Sequence, residues 1–190
     1  MAKPGLTVTD FEREARRLGC EVATLRAVCH AEAPRGGFNP DDTPVTLFEG
    51  HKFYKHTGGK FATTDPDLCY QTWTRKHYGG TWQAEQKRLQ RAMELDRPAA
   101  LKSASWGRFQ ILGENFIDAG HPTLQSFVNA MYRDERGHLS AFVEVVRAWG
   151  LVTALRNRNF EAFARRYNGP GYAANGYHTK MQAAYTEFSK

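Results

Sequence analysis

Between Glu21 and Glu32 the apolar side chains recur at Val22, Leu25, Val28 and Cys29, a spacing that a helix of 3.6 residues per turn gathers onto one buried face. Pro34 and Gly36-Gly37 end that helix. The same period returns through Trp82, Gln86, Leu89 and Met93 in 82–95, which Asp96-Arg97-Pro98 closes. It returns again in 124–149 through Phe127, Met131, Leu139, Phe142, Val143, Val146 and Trp149, read as two helices broken near Gly137, and then in 160–167 and 180–188. Ahead of them all, Thr9-Asp10-Phe11-Glu12 has the form of a capping box and predicts a helix over 10–18 stopped by Gly19. The period disappears from Phe38 to Lys60, where Thr43-Pro44-Val45-Thr46-Leu47 predicts a short strand or extended edge running into Phe48-Glu49-Gly50-His51. The stretch 103–115 reads as a loop feeding a helix. A chain punctuated this way folds as a predominantly helical α+β protein.

Composition narrows what it can do. With 190 residues, 41% hydrophobic and 24% charged, no repeat and no low-complexity linker, the expectation is one domain over 1–190 with no second module. No run approaches the roughly 18 apolar residues of a membrane span, so no stable membrane insertion is expected. No apolar signal run follows Met1, so synthesis in the cytosol without a signal peptide is expected. Cys20, Cys29 and Cys69 cannot all pair within one chain and lack metal-ligand spacing; they read as reduced thiols, Cys29 in the core. Seven scattered histidines form no ligand motif, so neither a metal nor a cofactor is expected. A net charge of +6 favours polyanionic partners, an anionic bacterial envelope among them. The cations fall in short groups, none a block of five, and no nucleic-acid-binding motif accompanies them, which disfavours a basic helical nucleic-acid-binding protein.

Among the acids, Glu32 continues the stripe of Leu25 at the last turn of its helix. Apolar neighbours and the negative end of the helix dipole both disfavour its ionised form. A carboxyl that keeps its proton near neutrality suits proton donation to a glycosidic oxygen; the bland alternative is a surface glutamate closing a helix. Glycoside cleavage commonly uses a second carboxylate. Glu49 leads the candidates, with Asp41, Asp42 and Asp65 as rivals, and its own alternative is a structural acid fixing the loop of His51. Two segments, 103–110 with Trp106 and Gln110, and 167–177 with Tyr167, Asn168, Tyr172 and Tyr177, combine flat rings, amides and glycines, the groups that sugars need. Singly, Trp106 or Tyr167 is more often a core aromatic, because large aromatics dominate cores.

Taken in order, His30-Ala31-Glu32-Ala33, Gly36-Gly37-Phe38, Leu47-Phe48-Glu49-Gly50-His51-Lys52-Phe53-Tyr54, 103–111 and Tyr167-Asn168-Gly169-Pro170 resemble the phage N-acetylmuramidase endolysin family across nearly the whole chain. Gly107-Arg108-Phe109-Gln110 and Tyr167-Asn168 are also similar to elements of goose-type lysozymes and soluble lytic transglycosylases. The resemblance implies a lysozyme-like fold, a small β-containing lobe and a larger helical lobe bounding a glycan cleft. It implies Glu32 as catalytic acid, Gln110, Tyr167 and Asn168 at the sugar subsites, and Phe48-Glu49 and His51 on the opposite wall. It further implies a monomer that hydrolyses peptidoglycan between N-acetylmuramic acid and N-acetylglucosamine, reaching the wall through holin lesions. The nearest alternative is a lytic transglycosylase. One departure is Ala33, where relatives typically carry Ser.

Overall fold

The computed structural model describes residues 3–32 and 36–190; Ala33 and Pro34 lie outside the described residues. Its order is α1 (Val8–Leu18), α2 (Val22–Glu32), β1 (Thr46–Phe48), α3 (Gly50–Thr57), α4 (Trp82–Lys102), β2 (Ala104–Trp106), β3 (Ile111–Leu112), α5 (Leu124–Arg133), α6 (Glu135–Ala148), α7 (Val152–Arg156), α8 (Phe160–Tyr167) and α9 (Tyr177–Phe188). A three-stranded antiparallel sheet, ordered β1-β2-β3, packs with α3 and α4. The other helices gather round the α2–α9 pair, with α1 against α2 and α6. The predominantly helical α+β organisation expected from the apolar period is present, including the smaller β-containing part.

Local chemistry explains where the elements start and stop, and where the sequence expectation shifts. Helix α1 begins two residues earlier than its predicted start, because Thr7 and Asp10 form the capping box in place of Thr9 and Glu12: the Asp10 amide donates to Thr7 Oγ1 and the Thr7 amide to Asp10 Oδ2. Asp10 is buried and faces the guanidinium groups of Arg13 and Arg136, partners that Glu12 lacks. Asp96, with φ −157° and ψ 96°, does end the first segment of α4, yet its carboxylate accepts the Ala99 amide at 3.0 Å and starts a second segment at once. Pro98 is tolerated there because first-turn amides have no helical partner. The break between α5 and α6 falls at Asp134, whose extended backbone and cap onto the Gly137 amide separate the two helices. Gly137 itself is needed for packing, since a Cβ would lie 2.7 Å from the Ala130 carbonyl oxygen.

The largest difference is at 103–115, a β-hairpin followed by a 3-10 turn and not a loop feeding a helix. Here Ser105 pairs with both Leu47 and Leu112, and Trp106 with Thr46 and Ile111. Strand alternation sends Trp106 into the core, 1% exposed, and Ser105 to the other face. The chain reverses at 107–110 with Gly107 at φ +67° and Gln110 at φ +48°. Gly107 is obligatory twice over, because its backbone is left-handed and an added Cβ would meet the His138 ring at 2.9 Å. Behind the hairpin, Phe109 stacks on Phe142 with centroids 4.4 Å apart, and Phe142 meets Tyr167 edge-on at 5.4 Å. These rings join the sheet to α6 and α8, each such pair worth about 0.5–1.5 kcal/mol beyond its buried area.

Candidate active site

Helix α2 ends in the carboxyl group that the apolar stripe carries forward. Leu25, Val28 and Cys29 are buried on that stripe, and Glu32 follows them one turn on, half-buried. Among the described residues, one hydrogen bond reaches it: Asn168 Nδ2 donates to Oε1 at 2.8 Å. Burial pushes the Glu32 carboxyl up to about 7, against the Asn168 donor and the positive charge of Lys180, which both pull it down. Desolvation is the larger effect, so the proton stays on near neutrality.

Asn168 is placed by the end of α8, where its amide donates to the Ala164 carbonyl and its side chain is left free to reach α2. Tyr167, one residue earlier, is held far above the ordinary phenol range by burial and by the neighbouring Glu32 and Cys29. Its hydroxyl keeps its proton and lies 3.4 Å from the Phe109 carbonyl. Tyr177 at the start of α9 is shifted upward by burial and by Glu32 as well.

These groups surround a pocket of about 360 Å³. Glu32, Asn168, Tyr167 and Tyr177 line one side; Ser105, Gln110 and Leu112 from the hairpin line the other. Gln110 holds its strained φ while its side-chain amide donates to the Gly107 and Val45 carbonyls, which fixes the turn that walls the pocket. The pocket offers an acid, side-chain amides, a hydroxyl and aromatic faces, the complement of an amino sugar.

A buried polar cluster at the start of α6 ties the segment after α2 to the turn that carries Gln110. Glu135, 6% exposed, accepts the Gly37 amide at 2.6 Å and the Arg108 guanidinium at 2.9 Å. His138 accepts the Arg108 amide at Nδ1 and gives its Nε2 proton to the Met131 carbonyl; burial lowers its pKa and keeps the ring neutral. The strand-like segment after α2 and the turn carrying Gln110 are thereby tied to one helix.

The other candidates from the sequence fall elsewhere. Glu49 does not line the Glu32 pocket. It is the residue before α3, beyond β1, and β1 lies about 10 Å from β3 across two strand spacings. Tyr78 donates its hydroxyl to Glu49 Oε2 at 2.8 Å, and His51 Nδ1 lies 3.4 Å from the same oxygen. His51 likewise stands outside the pocket, its pKa lowered by burial. Trp106 packs in the core, its indole donating to the Leu101 carbonyl. Tyr172 sits on the outer side of α8, bonded to Glu161 and Arg165. Asp41 accepts from Thr43 in its own loop, and Asp65 pairs with Arg91. The sequence did not single out Asn115, Val145 or the pocket role of Trp149. Trp149 was readable only as the last apolar residue of a helix, and no local pattern marks Asn115. Among the described residues, no three His, Cys, Asp or Glu side chains stand together to hold a metal ion, and no helix is long and apolar enough to cross a membrane.

Comparison with known proteins bears on this geometry. The family model for N-acetylmuramidase matches residues 21–189. The fold is similar to the crystal structure of an endolysin from the Burkholderia phage AP3, with a TM-score of 0.90 and 37% identity, covering 97% of this chain and 70% of that one. A search of curated proteins gave no match.

Proposed function

The chain belongs to the N-acetylmuramidase family, and on that premise we propose that Glu32 is its proton donor in the cleavage of peptidoglycan glycan strands. It is a phage-type endolysin, a glycoside hydrolase acting on the bacterial cell wall. The observation that carries the assignment is the single pocket acid, pushed up to about 7 by burial and opening onto a sugar-sized cavity. Glu32 gives its proton to the oxygen joining N-acetylmuramic acid to N-acetylglucosamine as the C1–O bond breaks. Water then supplies hydroxide to C1 and returns a proton to the carboxylate. Asn168 orients the carboxyl and stabilises it after transfer, while Tyr167 and Gln110 present a ring face and an amide to the sugars.

A second reading has one observation in its favour: Glu32 is the sole carboxylate among the residues lining this pocket. Two-carboxylate hydrolysis needs a partner acid across the bond, and Glu49 is engaged with Tyr78 outside the pocket. A route in which the muramoyl 6-hydroxyl attacks C1 requires only the one acid. Digestion of purified sacculi by the wild type and by Glu32→Gln, followed by mass spectrometry, decides both points. The expected result is reducing-end products from the wild type and about 10²- to 10⁴-fold slower release from the variant. Anhydro ends would replace the hydrolytic reading with transglycosylation, and a folded variant cleaving at the wild-type rate would remove Glu32 from the chemistry.

A further inference from the structure

Between α3 and α4 the chain runs from 58 to 81 without helix or strand, well beyond the about 12–15 residues usual for a structureless loop inside a domain. Loops of that length are retained for a function or are disordered, and this one is anchored. Leu68 and Cys69 are buried, the Tyr70 and His77 rings pack in a tilted pair with centroids 5.0 Å apart, and Tyr78 is fastened to Glu49. The Gly79 amide donates to Glu85 Oε1 at 2.5 Å. Between these anchors the loop turns its largest apolar side chain outward: Trp73 is 54% exposed, with the Arg75 guanidinium 5.7 Å from its ring centroid. Residues 68–84 contain no acid, while Arg75 and Lys76 are both exposed. The flanking acids are engaged elsewhere, Asp67 with Arg91 and Glu85 with Arg88, so the two cations are left for an outside partner.

We propose that Trp73, Arg75 and Lys76 form a second binding surface for peptidoglycan, separate from the Glu32 pocket; the proposal rests on the wall-hydrolase reading above. The open face of an indole suits the apolar face of a pyranose ring. The carboxylates of stem peptides and lactyl groups suit two unpaired cations. An anchored loop presents all three with little ordering cost on binding, because the strain of arranging them is met within the fold. Such a surface holds an insoluble polymer on the enzyme between cleavage events, and gives Glu49 a role as the post to which the loop is tied.

The test uses Glu32→Gln as the parent, so that the polymer is bound and not cut. Co-sedimentation with purified sacculi is measured for the parent, for Trp73→Ala and for the pair Arg75→Gln and Lys76→Gln, across a salt series, with thermal melting as the check on folding. Trp73→Ala is expected to weaken binding roughly three- to tenfold. The paired variant is expected to weaken it and to flatten its salt dependence. Should Trp73→Ala not fold, the paired variant decides alone. Undiminished sacculus binding in the folded variants overturns the proposal, including the case in which only binding to vesicles containing anionic lipid is lost. Wall cleavage persisting in the Glu32→Gln parent would instead count against the catalytic assignment, leaving the loop measurement intact.

Discussion

Two glutamates sit at the ends of different elements, and they differ in what their oxygens are used for. Glu32, at the end of α2, has one donor among the described residues, Asn168, and opens onto a cavity. Glu49, before α3, holds the Tyr78 hydroxyl and lies beside His51, and those contacts tie the long loop to the sheet. Burial and the bound carboxylate raise the Tyr78 hydroxyl above its ordinary pKa, so it remains a donor. An acid whose bonding capacity is left open can transfer a proton to a substrate; one already bonded within the fold serves the fold.

The sharpest way to break that contrast is to remove each carboxylate in turn. Glu32→Gln should cut wall cleavage by about 10²- to 10⁴-fold with its melting curve intact. Glu49→Gln should keep most of the activity. A folded Glu49→Gln as inactive as Glu32→Gln would restore it as the second catalytic acid and sink the comparison.

Next in size is the Glu135 cluster beside the turn that carries Gln110. Glu135→Ala leaves the Arg108 guanidinium and the Gly37 amide without their buried acceptor. Loss of one member of such a pair costs about 3–5 kcal/mol, to be read from urea denaturation. A smaller loss, about 1–3 kcal/mol, is expected for Glu49→Gln, where one buried hydrogen bond weakens. Susceptibility to proteolysis should rise within 58–81 in that variant, and cleavage elsewhere first would show that the loop is not tied there.

The smallest effect is in pH. Glu32 titrates near 7 in the folded protein against an ordinary 4.5, so the alkaline limb of kcat/KM should fall near 7. Because the unfolded chain loses this proton first, the stability contributed by Glu32 is complete below about 4.5 and declines as pH rises through about 7. Asn168→Ala removes a donor that favours the carboxylate and should move the limb to higher pH. A limb moving lower would mean that Asn168 does not act on this carboxyl.

Much of this was legible residue by residue. The stripe Leu25, Val28, Cys29 and Glu32 predicts both α2 and the greasy surroundings of its last acid, because helical period is a local property. Glu32, Tyr167, Asn168 and Gln110, each singled out by residue type and position, lie along one pocket in the structure. Trp106 and Tyr172 were not separable from pocket residues by type, since a tryptophan or tyrosine has the same composition in a core, on a surface or against a sugar. Their places depend on strand alternation and on which side of α8 meets the rest of the fold.

The sequence by itself determined the longer helices and an acid with an apolar approach, which follow from neighbours within a few positions along the chain, whereas α3 and α7 form where no helical period was read. Only the tertiary structure decided that Ala104–Trp106 is a strand, since its partners lie nearly 60 residues away at Thr46–Phe48, and that Asn168 reaches Glu32 across 136 positions. Pairing at such separations is set by how whole elements pack, and no local period records it.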